Sequence, residues 1–223
     1  MQTFSRRTAS YGHFALRVQA AAALSFAFAL LAAPATARTL HVVALGDSLT
    51  AGFGLPQGQG FTDVLSRALK AKGWDVQMTN AGVSGETAAD GLARYDWSVP
   101  AGTDALLVEL GANDMLRGLP PERAEAALAE ILERAKKAHV ATLLTGMRAA
   151  PNFGAEYQKK FDAIYPVLAA RYGVALYPFF LDGVADNPRL NQTDGEHPNQ
   201  AGVEVIVARV LPSVEALLRQ VGP

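Results

Sequence analysis

What most constrains the fold of this chain is a series of short, continuous apolar runs separated by helical patterns. Ala105-Leu106-Leu107-Val108 is the clearest of them. A strand with one wet face alternates apolar and polar residues, whereas an unbroken run suits a parallel strand covered on both faces. The runs predict strands at His41–Leu45, Asp75–Thr79, Ala105–Leu110, Ala141–Gly146 and Val174–Tyr177. Helical patterns lie between them at about Phe61–Lys72, Thr87–Tyr95, Pro121–Ala138 and Glu156–Tyr172, and a last one runs from about Asn199 to Arg219. In the third of these, Ala124, Leu128, Ile131, Leu132 and Ala135 fall on one face, the stripe a helix turns to a core. Pro121 near a helix start and Gly73 just past a helix end are ordinary helix punctuation. Strand and helix in repeated alternation predict a single α/β domain, a three-layer α/β/α sandwich.

Composition narrows what such a domain does. The 223 residues are 50% hydrophobic with a formal net charge of −1, enough for one sizeable core and without the basic patch that a nucleic-acid surface needs. There is no cysteine, so disulfides, thiolate catalysis and cysteine-ligated metal are excluded.

The first residues do not read as part of the fold. Arg6, Arg7 and Arg17 form a positive segment, an apolar run follows from Ala20 to Ala33, and Ala35-Thr36-Ala37 is a small-x-small cleavage signal. Residues 1–37 are therefore expected to be a signal peptide cut after Ala37, leaving a mature domain at 38–223. The alternative is an uncleaved anchor, for which this run is short against the ~20 apolar residues of a spanning helix. The reading implies an exported protein, periplasmic or secreted, without stable membrane insertion once the signal is removed.

In sheets of this kind the ligand site lies beyond the carboxyl ends of the strands. The chemistry-bearing residues fall there: Ser48 after the first strand, Gly82 after the second, Asn113 after the third, and Asp194 and His197 after the fifth. Ser48, in Gly46-Asp47-Ser48-Leu49, is the candidate nucleophile; Gly46 and Gly52 permit a tight strand-to-helix turn around it. Alone, this segment reads as well as a helix cap formed by Asp47 or Ser48. His197 is the candidate base. His13 lies in the leader, and His41 and His139 sit at strand starts on the opposite edge. Asp194, three residues upstream, is placed to accept from the ring, fix its tautomer and stabilise the imidazolium. Gly82 and Asn113, with the Ser48 backbone N–H, are the candidate donors to an oxyanion.

Four blocks carry a family resemblance: Gly46-Asp47-Ser48-Leu49, Asn80-Ala81-Gly82-Val83-Ser84-Gly85, Gly111-Ala112-Asn113-Asp114 and Asp194-Gly195-Glu196-His197-Pro198-Asn199. In this order they resemble the SGNH, or GDSL-type, hydrolase superfamily. Arg148-Ala149-Ala150-Pro151-Asn152-Phe153-Gly154, Tyr165-Pro166 and Pro178-Phe179-Phe180 are similar to its exported bacterial arylesterase and thioesterase I/lysophospholipase L1 subgroup. The resemblance implies a flavodoxin-like sheet of five parallel strands in the order 2-1-3-4-5. It assigns nucleophile to Ser48, base to His197, orienting acid to Asp194 and oxyanion donors to Ser48, Gly82 and Asn113, with no cofactor and no metal. Residue 112 is alanine where the subgroup commonly has glycine, and the glycine-rich Phe53–Gly60 segment looks individual beside the shared blocks.

Rival readings fit less well. An α/β-hydrolase needs Gly-x-Ser-x-Gly and brings its acid and histidine on separate loops. A metal site lacks a second histidine near Asp194 and His197. A non-catalytic lipid- or phosphate-binding module does not require serine, histidine, aspartate and oxyanion donors together. Met115, Leu116, Leu119, Phe153 and Phe179 are apolar residues near the same edge and are expected to line an acyl pocket. The expected partner is a small-molecule ester or lipid: aryl esters, esters of short or medium acyl chains, thioesters or lysophospholipids. A carbohydrate O-deacetylase of the same superfamily is the alternative.

Overall fold

The computed structural model of the protein describes residues 1–3 and 38–222. The expected signal peptide, with His13, therefore lies almost wholly outside the described residues. Five strands form one parallel sheet: β1 (Leu40–Gly46), β2 (Val76–Gly82), β3 (Ala105–Glu109), β4 (Ala141–Thr145) and β5 (Ala175–Tyr177). Their spatial order is β2-β1-β3-β4-β5, and every pairing is parallel. The helices are α1 (Ser48–Ala51), α2 (Phe61–Ala71), α3 (Ala88–Ala93), α4 (Tyr95–Ser98), α5 (Ala112–Leu116), α6 (Pro121–Lys137), α7 (Ala155–Tyr172) and α8 (Gln200–Val221).

The sheet is covered on both faces, as the continuous apolar runs require. All five residues of β3 are buried, and β1 is buried at every position but His41. On one side α2 packs on α8; on the other α6 packs on α3 and α7. The stripe Ala124, Leu128, Ile131, Leu132 and Ala135 is 0–1% exposed, as a core-facing helix surface should be.

Register brings three residues to one level at the carboxyl edge: Gly46 pairs with Gly82 on one side and with Glu109 on the other. Every loop that leaves this edge starts from the same height.

Two local differences from the sequence pattern have physical causes. The helix expected over Thr87–Tyr95 divides at Arg94 into α3 and α4. The Arg94 guanidinium bonds Glu86, Ser98 and the Gly46 carbonyl, and the backbone leaves helical geometry there. The one-turn helices α1 and α5 are absent from the helical patterns, being too short to show a 3.6-residue period, and α1 is announced only by the cap reading of Asp47.

Candidate active site

The serine turn is built by its flanking residues. Asp47 caps α1, its Oδ1 accepting from Leu49 N at 3.0 Å. Gly52 closes the helix after one turn in the left-handed region, φ +80°, with its N–H on the Ser48 carbonyl. Ser48 is thus the first helical residue, where the backbone N–H has no intrahelical partner. Both readings of Gly-Asp-Ser-Leu hold at once: Asp47 is a cap, and the cap presents Ser48.

The Asp194–His197 loop is equally local. Asp194 Oδ1 accepts from the backbone N–H groups of Glu196 and His197, each at 3.0 Å, and Gly195 takes φ +77°. These bonds curl the loop so that Asp194 Oδ2 meets His197 Nδ1 at 2.9 Å. His197 Nε2 then stands 2.9 Å from Ser48 Oγ. With the ring proton on Nδ1 and donated to Asp194, Nε2 accepts from the serine hydroxyl. The loop is latched to the serine side by Gln192, whose Nε2 donates to the Phe53 and Pro198 carbonyls. Phe53 lies against the His197 ring, centroids 4.6 Å apart and tilted by 41°.

Asn113 is the second residue of α5, and its Nδ2 donates to Asp47 Oδ2 at 3.1 Å and to the Glu86 carbonyl at 3.0 Å. Asp114 is buried and accepts from Ala88 N at 2.8 Å, joining this turn to the start of α3. Gly82 N–H donates to Asn80 Oδ1 at 2.9 Å, and a Cβ at Gly82 would stand 2.3 Å from Ala51 N. Close packing against α1 therefore demands glycine here.

A cavity of about 700 Å³ opens over this edge. Ser48, Asn113 and His197 line it, with Met115, Leu116 and Phe179 among its apolar walls. Phe153 and Leu119 do not line it, which corrects the expectation for both. The 3₁₀ turn Pro151–Phe153 packs the Phe153 ring against Tyr157, centroids 5.3 Å apart. Gly82 is also not among the lining residues. Met147 and Leu181, which the sequence did not single out, do line the cavity, and so does Phe53. Met147 directly follows the fourth predicted strand, so position at the carboxyl edge was the signal for it. Arg148 lies over the Phe179 ring, 5.0 Å from its centroid. Among the described residues no group of three His, Asp or Glu side chains is gathered to hold a metal ion.

Electrostatics separate the carboxyls. Asp194 is lowered from 3.8 to about 2, first by the His197 backbone N–H and then by the His197 ring and the Glu196 N–H. Asp47 is raised to about 6 by burial, against the pull of Leu49 N–H, Glu109, Asn113 and His197. Burial also lifts Glu109 well above the usual carboxylate range, and the neighbouring Asp47 adds to it.

Comparison with known proteins agrees with this architecture. The model of the GDSL-like lipase/acylhydrolase family matches residues 44–205. The chain is 39% identical over 193 residues to the esterase TesA of Pseudomonas aeruginosa, spanning 86% of this chain and 95% of that one. It is 37% identical over 178 residues to the thioesterase 1/protease 1/lysophospholipase L1 of Escherichia coli K12, 79% of this chain and 84% of that one. The crystal structure of AlinE4, an SGNH-hydrolase family esterase, matches with TM-score 0.69 at 44% identity, over 82% of this chain and 99% of that one. The chain belongs to the GDSL-like lipase/acylhydrolase family and is an ester-hydrolysing enzyme.

The lowered Asp194 value has a measurable consequence. Bonds to its charged form stabilise the loop above the ordinary value of 3.8 and are lost as pH falls through about 2. Carbon-detected NMR titration of the Asp194 carboxyl should give a midpoint near 2, and His197→Ala should move it part of the way back toward 3.8.

Proposed function

We propose that the protein is a serine esterase in which Ser48, His197 and Asp194 act as nucleophile, base and orienting acid. The observation that carries this reading is the pair of 2.9 Å contacts, Asp194 to His197 and His197 to Ser48, at the wall of an apolar-lined cavity. A serine hydroxyl is a weak nucleophile until a base accepts its proton, and His197 Nε2 is within reach to do so. Ser48 Oγ attacks the ester carbonyl as its proton passes to Nε2. Asp194 stabilises the imidazolium, which then protonates the leaving alkoxide or thiolate. An acyl-Ser48 remains. Water, deprotonated by His197, attacks it and releases the acid, returning Ser48 to its starting state.

The tetrahedral oxyanion requires donors. The Ser48 N–H at the start of α1 is the first, supported by its position ahead of the helical bonding pattern. Asn113 is the second; its Nδ2 shares its hydrogens with Asp47 and the Glu86 carbonyl in the resting site. Gly82 completes the set when Asn80 Oδ1 releases its N–H. The substrates we assign are aryl esters and esters of short or medium acyl chains, with thioesters and lysophospholipids. Met115, Leu116, Met147 and Phe179 form walls suited to an acyl chain, and the names of the relatives point the same way. Those apolar walls favour an acyl group over the polyhydroxylated surface of a carbohydrate.

We also propose that residues 1–37 are removed on export as a signal peptide. Arg38, the first residue beyond the expected cut, pairs with Asp104 at 2.8 Å, and β1 begins at Leu40.

Ser48→Ala should abolish both ester hydrolysis and labelling by a fluorophosphonate while leaving the circular dichroism unchanged; turnover near that of the wild type would sink the mechanism. Asn113→Ala should lower kcat by ~10²–10³-fold, and a change confined to KM would remove it from the oxyanion role. Intact mass of the exported protein should correspond to a chain starting at Arg38; an uncut N-terminus would refute the cleavage.

A further inference from the structure

Glu109 is the last residue of β3 and is 1% exposed. Its carboxyl stands under the serine turn. Oε2 accepts from Thr50 Oγ1 at 2.8 Å and from Asp47 N at 3.3 Å. A Cβ at residue 46 would meet this same Oε2 at 2.7 Å and Thr50 Oγ1 at 2.1 Å, which is why Gly46 is glycine. Oε1 is buried and has no hydrogen-bond partner among the described residues. Next to it Asp47, 0% exposed, accepts from Leu49 N and from Asn113 Nδ2.

Two carboxyls thus share one buried compartment. No lysine or arginine among the described residues forms an ion pair with either. The Arg94 guanidinium, which donates to the Gly46 carbonyl, is paired with Glu86. Tyr165, also buried here, donates its hydroxyl to the Leu110 carbonyl. Two adjacent buried negative charges without a counter-ion are unfavourable, and the ordinary resolution is that one of them keeps its proton. Hydrogen bonding decides which. Asp47 has two N–H donors aimed at its two oxygens, the environment of a carboxylate. Glu109 has one oxygen with no donor at all, the environment of an acid.

We propose that Glu109 is a neutral carboxylic acid that acts as a positioning residue, holding the Ser48 turn through Thr50 and the Asn113 amide through Asp47. The directions of the two groups run in the supporting sense: burial and the neighbouring Asp47 raise Glu109 well above its usual value, while Leu49 N–H, Glu109 and Asn113 favour the charged form of Asp47 against its burial. Thr50 and Asp47 bracket Ser48, so both ends of the one-turn helix bear on the same carboxyl. The inference rests on the assignment of Ser48 as nucleophile, and the tests separate the two.

Glutamine is the neutral isostere: its amide oxygen takes the place of Oε2 and accepts from Thr50 Oγ1 and Asp47 N, and its amide nitrogen takes the place of Oε1. Glu109→Ala should lower kcat by ~10- to 100-fold with KM changed by less than about twofold, the size expected when a reacting group is misplaced by a fraction of an ångström. Glu109→Gln should restore kcat to within about threefold of the wild type. The infrared spectrum of the wild type at pH 7 should contain the carbonyl stretch of a buried protonated carboxyl, absent from Glu109→Gln. A Glu109→Gln kcat as low as that of Glu109→Ala, or a wild-type spectrum without that band, would overturn the proposal. So would an alanine variant that changes KM alone. If Glu109→Ala fails to fold, Thr50→Val takes its place: a lowered kcat at unchanged KM supports the clamp, and an unchanged kcat refutes it. Failure of fluorophosphonate to label even the wild type would overturn the nucleophile assignment instead, while the infrared band would still decide the state of Glu109.

Discussion

The burial of Asp47 is the constraint around which the site is arranged. A fully buried carboxylate at the end of a parallel strand is costly unless donors surround it. Here its requirement is met from two directions: by the start of the helix it caps and by the side chain of Asn113, which arrives from the turn after β3. One donor, Asn113, is itself part of the proposed catalytic apparatus, and the other, Leu49 N, follows Ser48 on the same turn. Satisfying one buried charge therefore sets the direction of α1, the exposure of Ser48 and the attitude of Asn113 in a single arrangement. Register makes this possible, because Gly46, Gly82 and Glu109 end their strands at one level, and the three loops that follow start within reach of one another.

The fourth loop depends on different physics. The Asp194–His197 segment is mostly exposed and is held by its own hydrogen bonds and by one long-range latch, Gln192 to the Phe53 carbonyl. The same latch brings the Phe53 ring to the imidazole. An aromatic face beside a ring that becomes cationic in the proposed mechanism is electrostatically favourable. It also covers one side of the histidine against water. Phe53 belongs to the glycine-rich Phe53–Gly60 segment, outside the four motif blocks, so the environment of the base depends in part on residues beyond those motifs.

The layered fold was legible because parallel strands covered on both faces leave a plain mark in sequence. Ala105 to Val108 reads as a buried run and is one, and the expected strands match the observed ones apart from small shifts at their ends, the largest being the extension of β2 from Thr79 to Gly82. The positions of Ser48, Asn113, Asp194 and His197 at the carboxyl edge were legible for the same reason: strand ends locate loops. What sequence did not reveal was direction. Phe153 lies in the Arg148–Gly154 block near the carboxyl edge, yet a single 3₁₀ turn commits its ring to Tyr157. Gly82 lies in the expected block, yet the neighbouring Asn80 occupies its N–H. Glu109 carried a signal that went unread: an acidic residue closing a wholly apolar strand must be either paired or neutral.

Asp47 and Asp194 show how one residue type is given opposite properties within one site. Each accepts local backbone N–H bonds, and each lies near His197. Those bonds alone lower a carboxyl, as they do at Asp194, which solvent reaches and which falls to about 2. At Asp47 burial outweighs the same bonds and the value climbs to about 6. The difference suits what each is proposed to do. The partner of His197 must stay charged over the whole working range if it is to stabilise an imidazolium, and its exposed, donor-rich position secures that. The group beneath the serine turn need only hold its neighbours in place. It therefore tolerates a dry site whose charge is shared with a second carboxyl, provided that the second one keeps its proton.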